Sequence, residues 1–130
     1  MAIRVEATSP VPIYEQIADQ LVFAVAGGDL AAGDLVPSVR ELSVQLTVNP
    51  NTVVRAYQQL ELLGVLEPLR GRGMVITTDA AKRCKARRKE LLRGRVDELV
   101  REAVSAGLTA EDLHQLIDAG WPAAERNGKR

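Results

Sequence analysis

The stretch Val36–Leu66, VPSVRELSVQLTVNPNTVVRAYQQLELLGVL, decides the fold. It carries two apolar patterns of helical period, separated by Thr47-Val48-Asn49, a break too short for a flexible linker. Ser38 followed by Glu41 matches a capping box, in which the serine hydroxyl and the glutamate carboxylate satisfy each other's backbone N–H. The first helix is therefore expected to run from this cap to about Leu46, with Val39, Leu42 and Leu46 facing inward. Thr47 and Val48 make the turn. Asn49 suits the N-cap of a second helix, and Pro50 suits its first position, where a missing N–H is no loss. Val53, Ala56, Tyr57, Leu60 and Leu63 then form one buried stripe, which Gly64 stops. Two short helices joined by a tight turn, the second opening in small polar residues, describe a helix-turn-helix. In that motif the stripes hold the second helix on the first, and its exposed first turn enters the major groove, where side chains meet base edges. The helix dipole also favours nearby phosphates.

Upstream of this stretch, Ser9-Pro10-Val11-Pro12 breaks the backbone. Ile13, Ile17, Leu21, Ala24 and Val25 then mark one helical face, ended by Gly27-Gly28. The segment AAGDLVP reads as a turn. Downstream, the strand-like runs 65–69 and 74–77 flank Arg70-Gly71-Arg72-Gly73, the pattern of a hairpin with a basic, glycine-rich tip. Pro68 restricts its strand to a sheet edge.

Residues 79–106 form a long helical pattern with the stripe Leu92, Val96, Leu99, Val100, Ala103 and Val104. Gly94 weakens it locally by ~1 kcal/mol relative to alanine. A last helix is capped at Thr109–Asp112, with Leu113, Leu116 and Ile117 as its apolar side, and Gly120 and Pro122 end it. The expected fold class is mainly α with a small β-hairpin wing. The expected domains are a winged helix over 1–78, a two-helix region over 79–121, and a flexible polar tail over 122–130.

The 130 residues are 46% hydrophobic, enough for a packed core, and only 3% aromatic, so that core is aliphatic. A formal net charge of zero argues against indiscriminate binding to polyanions, but not against a local basic surface. Residues 79–95 carry net +6, concentrated in Lys82, Arg83, Lys85, Arg87, Arg88 and Lys89. A single cysteine excludes an intramolecular disulfide, and the N-terminus shows no signal-peptide pattern. No apolar run approaches the ~18 residues that a membrane helix needs. A cytoplasmic location with no membrane partner is expected.

Here the residues carry a resemblance. PIYEQIADQL, the GDL, PS and RELS elements, the NTV, RAY, LE and LG elements and the two wing glycines agree in order and spacing with the winged helix of the GntR family of bacterial transcription regulators. The match covers roughly residues 11–78. VNPNTVVRAYQQLE, with about 50 residues following the wing, resembles the YtrA subfamily, whose members have two C-terminal helices in place of a large ligand-binding domain. The resemblance implies a homodimer on a near-palindromic double-stranded DNA operator, usually repressing a neighbouring operon, often one for an ABC transporter. It implies DNA contact by Arg40 in the P-S-x-R motif, by Asn49, Asn51 and Thr52 at the recognition turn, and by Arg70 and Gly71 at the wing tip. Many members have arginine where this chain has Pro50, so that base contact is missing and the operator sequence does not transfer.

Other residues carry two readings each. Ser38 caps its helix and joins the DNA-facing set, and Arg40 and the Asn49–Thr52 cluster contact DNA or only cap and meet solvent. Arg55, one turn past Asn51 and Thr52, reaches DNA or pairs with Glu61; Gln58 lies further along the same helix. Arg72 divides between DNA and solvent, tilted toward DNA. Tyr57 sits in the apolar stripe, as core. The basic block contacts DNA flanks or is a solvated helix face. Trp121 packs across its helix pair or into a partner.

His114, near Glu111, Asp112 and Asp118, lacks the ligand set of a metal site and reads as a surface residue; no metal or cofactor is expected. Cys84 lies between Arg83 and Lys85, which would lower its thiol pKa and allow a redox switch, the minor reading. The chain has no nucleophile–His–acid set and no P-loop, so it is not expected to be an enzyme.

The C-terminal stripes exceed what two helices can hide from each other. Leu92, Val96, Leu99, Val100, Ala103, Leu113, Leu116 and Ile117 are therefore expected to pair two protomers, spacing their recognition helices ~34 Å apart. The competing arrangement packs them onto the chain's own winged helix. The leading function is a sequence-specific dimeric repressor, with an unknown small-molecule effector left open. The alternative is a winged-helix protein-interaction module without DNA recognition.

Overall fold

Caps, stripes and glycines set the elements of the molecule. In the computed structural model, which describes residues 2–126, they are α1 (Ile13–Ala26), α2 (Val39–Leu46), α3 (Pro50–Leu62), β1 (Leu66–Leu69), β2 (Gly73–Ile76), α4 (Ala80–Ser105), α5 (Ala110–Gly120) and the short α6 (Ala123–Arg126). The chain divides into two compact units within α4, after Glu90. The segment expected as a flexible tail includes α6, and residues 127–130 lie outside the described residues.

The first unit closes around an aliphatic core. Ile17, Leu21, Leu42, Val53 and Leu60 are at most 1% exposed. α3 packs against α1, α2 and β1, and so stands at the centre of the unit. α1 buries two adjacent rows, because Ala18, Val22 and Ala26 join the expected Ile17, Leu21 and Val25. Ala80 and Cys84 of α4 are also buried, so the first turns of that helix belong to this core.

β1 and β2 pair antiparallel with Leu66 opposite Ile76 and Pro68 opposite Met74. β1 has β2 as its neighbour in the sheet, an edge position that tolerates Pro68. The segment before α2 is more than a turn. Leu35 bridges to Val75, Gly33 N–H donates to Ile76 O (2.8 Å) and Ile76 N–H donates to Asp34 O (2.9 Å). The base of the wing is thus held on its second side as well.

Arg4 to Glu6 run along α1, held by two glutamines, before a turn in which Ser9 N–H donates to Glu6 O (3.2 Å). Glu6 N–H donates to Gln16 Oε1 (2.8 Å) and Gln16 Nε2 donates back to Glu6 O (2.9 Å). Gln20 makes the same exchange with Arg4, at 2.9 and 2.5 Å. The spacings match: four residues of helix rise ~6 Å and two residues of strand ~6.6 Å.

α1, α2, α3 and α4 end in one two-bond closure, in which one N–H reaches back three residues and the next reaches back five. At three of these ends the left-handed residue is Gly28, Gly64 or Gly107. For α1 it is therefore Gly28 that turns left-handed, while Gly27 keeps right-handed geometry. At the end of α2 it is Thr47, at φ 54°, ψ 51°. A β-branched residue there carries strain.

In the second unit, Thr109 and Asp112 form a capping box at α5. The apolar stripe of its helices stays largely open: Leu92, Val96, Leu99, Val100, Leu116, Ile117 and Trp121 are all exposed. Ala103 is buried within the chain itself and Leu113 is half-buried, so these two offer a partner less than their neighbours do.

Candidate nucleic-acid interface

The first side of the interface is the start of α2. Glu41 N–H donates to Ser38 Oγ (3.0 Å) and Ser38 N–H donates to Glu41 Oε1 (3.0 Å). The bonds from Ser38's backbone and then its hydroxyl hold the Glu41 carboxyl below the usual range. Ser38 is therefore engaged as a cap while remaining exposed, and Arg40 follows it on the exposed first turn.

The turn into α3 is rigid. Thr47 N–H donates to Val44 O (3.3 Å) and Val48 N–H donates to Ser43 O (3.0 Å). Asn49 Oδ1 accepts from Asn51 N–H (2.8 Å), and Asn49 O accepts from Thr52 N–H (2.9 Å). Pro50 fills the first helical position. Asn49 thus spends its side-chain oxygen on the cap, which leaves its amide nitrogen as the donor for a ligand.

Beyond the cap, α3 has two opposite faces. Val53, Ala56, Tyr57 and Leu60 are buried, whereas Asn51, Arg55, Gln58 and Leu62 form an exposed row at helical spacing. Thr52 is half-buried at the edge between them. Tyr57 is a core residue whose hydroxyl donates to Pro37 O (2.6 Å), fixing α3 to the segment entering α2. Burial, then the nearby Glu41 charge, push its pKa up.

Arg55 does not bond to Glu61 of its own helix but stacks on Tyr14 of α1, with Cζ 3.9 Å from the ring centroid. The sequence alone carried no signal for this pairing, since Tyr14 lies in a different helix.

The second side is the wing. Arg70, Gly71 and Arg72 form its exposed tip, closed by Arg72 N–H donating to Leu69 O (2.8 Å). Gly71 at φ 75° and Gly73 at φ 107° hold conformations that favour glycine, and a Cβ at either would point into open space. The tip backbone is therefore open to close approach. Arg72 and Gly73 line a cleft of about 390 Å³ together with Ser38, Glu41 and Gln45. The wing and the start of α2 thus share one surface.

The basic block lies elsewhere. Gly64, past the C-terminal end of α3, is covered by Arg83, whose Nε lies 3.0 Å from where a Cβ would stand. The 13 residues of α3 span ~20 Å, so Arg83 sits at the opposite end of that helix from Asn51. Arg87 Nη1 pairs with Glu90 (3.3 Å). Lys82, Arg83, Lys85 and Lys89 are exposed, and Arg87 and Arg88 are half-buried.

Cys84 overturns the redox-switch reading. It is fully buried, and burial pushes its thiol up to about 11. The flanking charges do not lower it, because adjacent helical residues point to different sides. His114 is exposed, and among the described residues no group of three or more His, Cys, Asp and Glu is placed to hold a metal. Among them, too, no helix is long and apolar enough to cross a membrane.

The comparisons with known proteins agree with this geometry. The model of the bacterial regulatory proteins of the gntR family matches residues 13–76, which spans α1 to the end of the wing. The HTH-type transcriptional repressor YtrA of Bacillus subtilis is 38% identical over 115 residues, covering 88% of each chain. A GntR family transcriptional regulator from Listeria monocytogenes superposes with a TM-score of 0.75 at 28% identity, over 90% of this chain and 100% of that one. YtrA from Sulfolobus acidocaldarius, a GntR-family transcription factor, superposes with a TM-score of 0.56 at 32% identity, over 81% of this chain and 99% of that one. The chain belongs to the GntR family of bacterial regulatory proteins, and its YtrA-like winged helix-turn-helix makes it a sequence-specific DNA-binding transcriptional regulator.

Proposed function

We propose that the protein is a homodimeric repressor that binds a near-palindromic operator in the upstream region of its own operon. The observation that carries this reading is the division of α3. Val53, Ala56, Tyr57 and Leu60 lock one face into the core, while Asn51 and Arg55 stand exposed on the other. A rigid helix with an uncovered polar first turn is what base readout in the major groove requires. In this reading Asn51, Thr52 and the Asn49 amide meet base edges or phosphates. Arg40 takes a phosphate beside the α2 cap, with Ser38 orienting that turn. Arg70 and Arg72 follow the backbone or a narrow minor groove, and Gly71 gives the tip its close approach.

Dimerisation is supported by the open stripe of α4 and α5, led by Val96, Leu99, Leu116 and Ile117. Pairing two stripes around a two-fold axis gives an operator with two related half-sites. The regulated operon, in this reading, encodes a transporter, as the resemblance implies. In this reading the protein works without catalysis in the cytoplasm.

Gel shift of the upstream region tests the proposal. Expected is a salt-sensitive complex that survives competition by unrelated duplex, with two chains per operator, and that Asn51→Ala weakens by about tenfold or more. A protein that shifts no duplex, or shifts all duplexes equally, would instead be a winged-helix protein-interaction module.

A further inference from the structure

Arg55 is the long cation on the exposed face of α3, and it does not hang free. Its guanidinium carbon lies over the Tyr14 ring, with Cζ 3.9 Å from the centroid, the spacing of a close cation–π contact. Tyr14 is half-buried near the start of α1, and α1 packs against α3, so the ring is anchored by the core. Its hydroxyl donates to the neighbouring Glu15 Oε1 (3.2 Å), away from the ring face that Arg55 meets.

Stacking engages the π face of a guanidinium and leaves its in-plane N–H groups available. A phosphate or a guanine edge is met in that plane, by two parallel N–H donors. The ring therefore does not compete with DNA for Arg55. It removes rotamer freedom that a solvated arginine would otherwise lose on binding. We propose that Tyr14 is a positioning residue for operator binding: it presents Arg55 of α3 in a fixed orientation to the DNA backbone or a base edge. This rests on the DNA-binding reading above and adds α1 to the elements that build the interface.

The test measures operator affinity of the full-length chain as a function of salt, for Tyr14→Leu, Tyr14→Phe, Arg55→Ala, the double variant Tyr14→Leu/Arg55→Ala, and Asn51→Ala as the control. Arg55→Ala should lower affinity about tenfold and reduce the salt slope by about one. Tyr14→Leu should lower it about threefold, whereas Tyr14→Phe, which keeps the ring face, should bind as the parent does. On the Arg55→Ala background, Tyr14→Leu should have no further effect.

Should Tyr14→Leu fail to fold, Arg55→Lys replaces it. That variant keeps the charge but loses the planar stack, and should bind about threefold more weakly with an unchanged salt slope. Two results overturn the proposal: Tyr14 and Arg55 effects that add independently, or a Tyr14→Phe loss as large as that of Tyr14→Leu. An Arg55→Ala variant that binds normally while Asn51→Ala does not would sink this proposal alone. A parent chain that shows no salt-sensitive, sequence-selective binding to the upstream duplex would sink the DNA-binding reading and this proposal with it.

Discussion

The two units of the chain use the same apolar period and end in opposite states. In the unit that ends at Glu90, Ile17, Leu21, Leu42 and Leu60 are 0–1% exposed. Beyond it, Leu99 is 44% exposed, Val96 54% and Leu116 60%. The difference follows from what is available to cover each stripe. α2, the first turns of α4 and the hairpin close around α1 and α3, each bringing its own apolar face. Among the described residues of its own unit, the helical stretch after Glu90 has α5 and the one-turn α6 to pair with. Apolar period locates a face; the number of elements that can close over it determines whether that face is finished within one chain. An unfinished face of this kind marks an interaction surface, and in the proposed function a second copy covers it.

The most severe way to break the comparison is a charge in the open stripe. Leu99→Asp should leave a folded monomer by sedimentation and lower operator affinity about a thousandfold, because two linked half-site contacts become one. Next comes a matched pair of cavities. Leu60→Ala in the closed core should cost roughly 2–5 kcal/mol in denaturant unfolding. Leu116→Ala on the monomeric Leu99→Asp background should cost under ~0.5 kcal/mol, since nothing there is packed to lose. Equal costs would mean the second unit has a core of its own.

A smaller effect lies at the turn between α2 and α3. Thr47→Gly should raise stability by about 1 kcal/mol, because glycine adopts this left-handed geometry without the Cβ clash. The smallest concerns the capping boxes that both units share. Bonds from the Ser38 backbone and hydroxyl lower the Glu41 pKa, and those from Thr109 lower that of Asp112. A carboxylate lowered on folding contributes stability above its unfolded pKa, and that contribution is lost as pH falls through the folded value. The difference in thermal midpoint between the parent and Glu41→Gln should therefore be present at neutral pH and vanish on acidification below the usual carboxylate range.

Much of the winged helix was legible in the sequence because its signals are local. Ser38 with Glu41, Asn49 with Pro50, and Thr109 with Asp112 each place their cap within three residues, and the structure forms all three. The exposed first turn of α3 follows from the same caps and the buried stripe behind it. What was not legible depends on partners distant in the chain. Leu35 reads as part of a turn until Val75 bridges to it. Arg55 offers no hint of Tyr14, and its row on α3 alone would suggest a solvated or paired cation. Gln16 and Gln20 look like solvated side chains until they hold the backbone of Glu6 and Arg4. Cys84 misled for the converse reason: its sequence neighbours are basic, but its spatial surroundings are a closed core. Thr47 is the case where local rules pointed elsewhere, since the other three helix ends of this type use glycine.

In the proposed function, two copies of the chain present the turn starting at Asn49 to the two halves of one operator. Sedimentation of the purified chain with its upstream duplex, followed as salt is raised, tests it most directly. Expected are two chains on each duplex, a steep fall in affinity with salt, and a marked loss for Asn51→Ala at unchanged stoichiometry. A single chain per duplex, or an Asn51→Ala variant that binds as tightly as its parent, would contradict it.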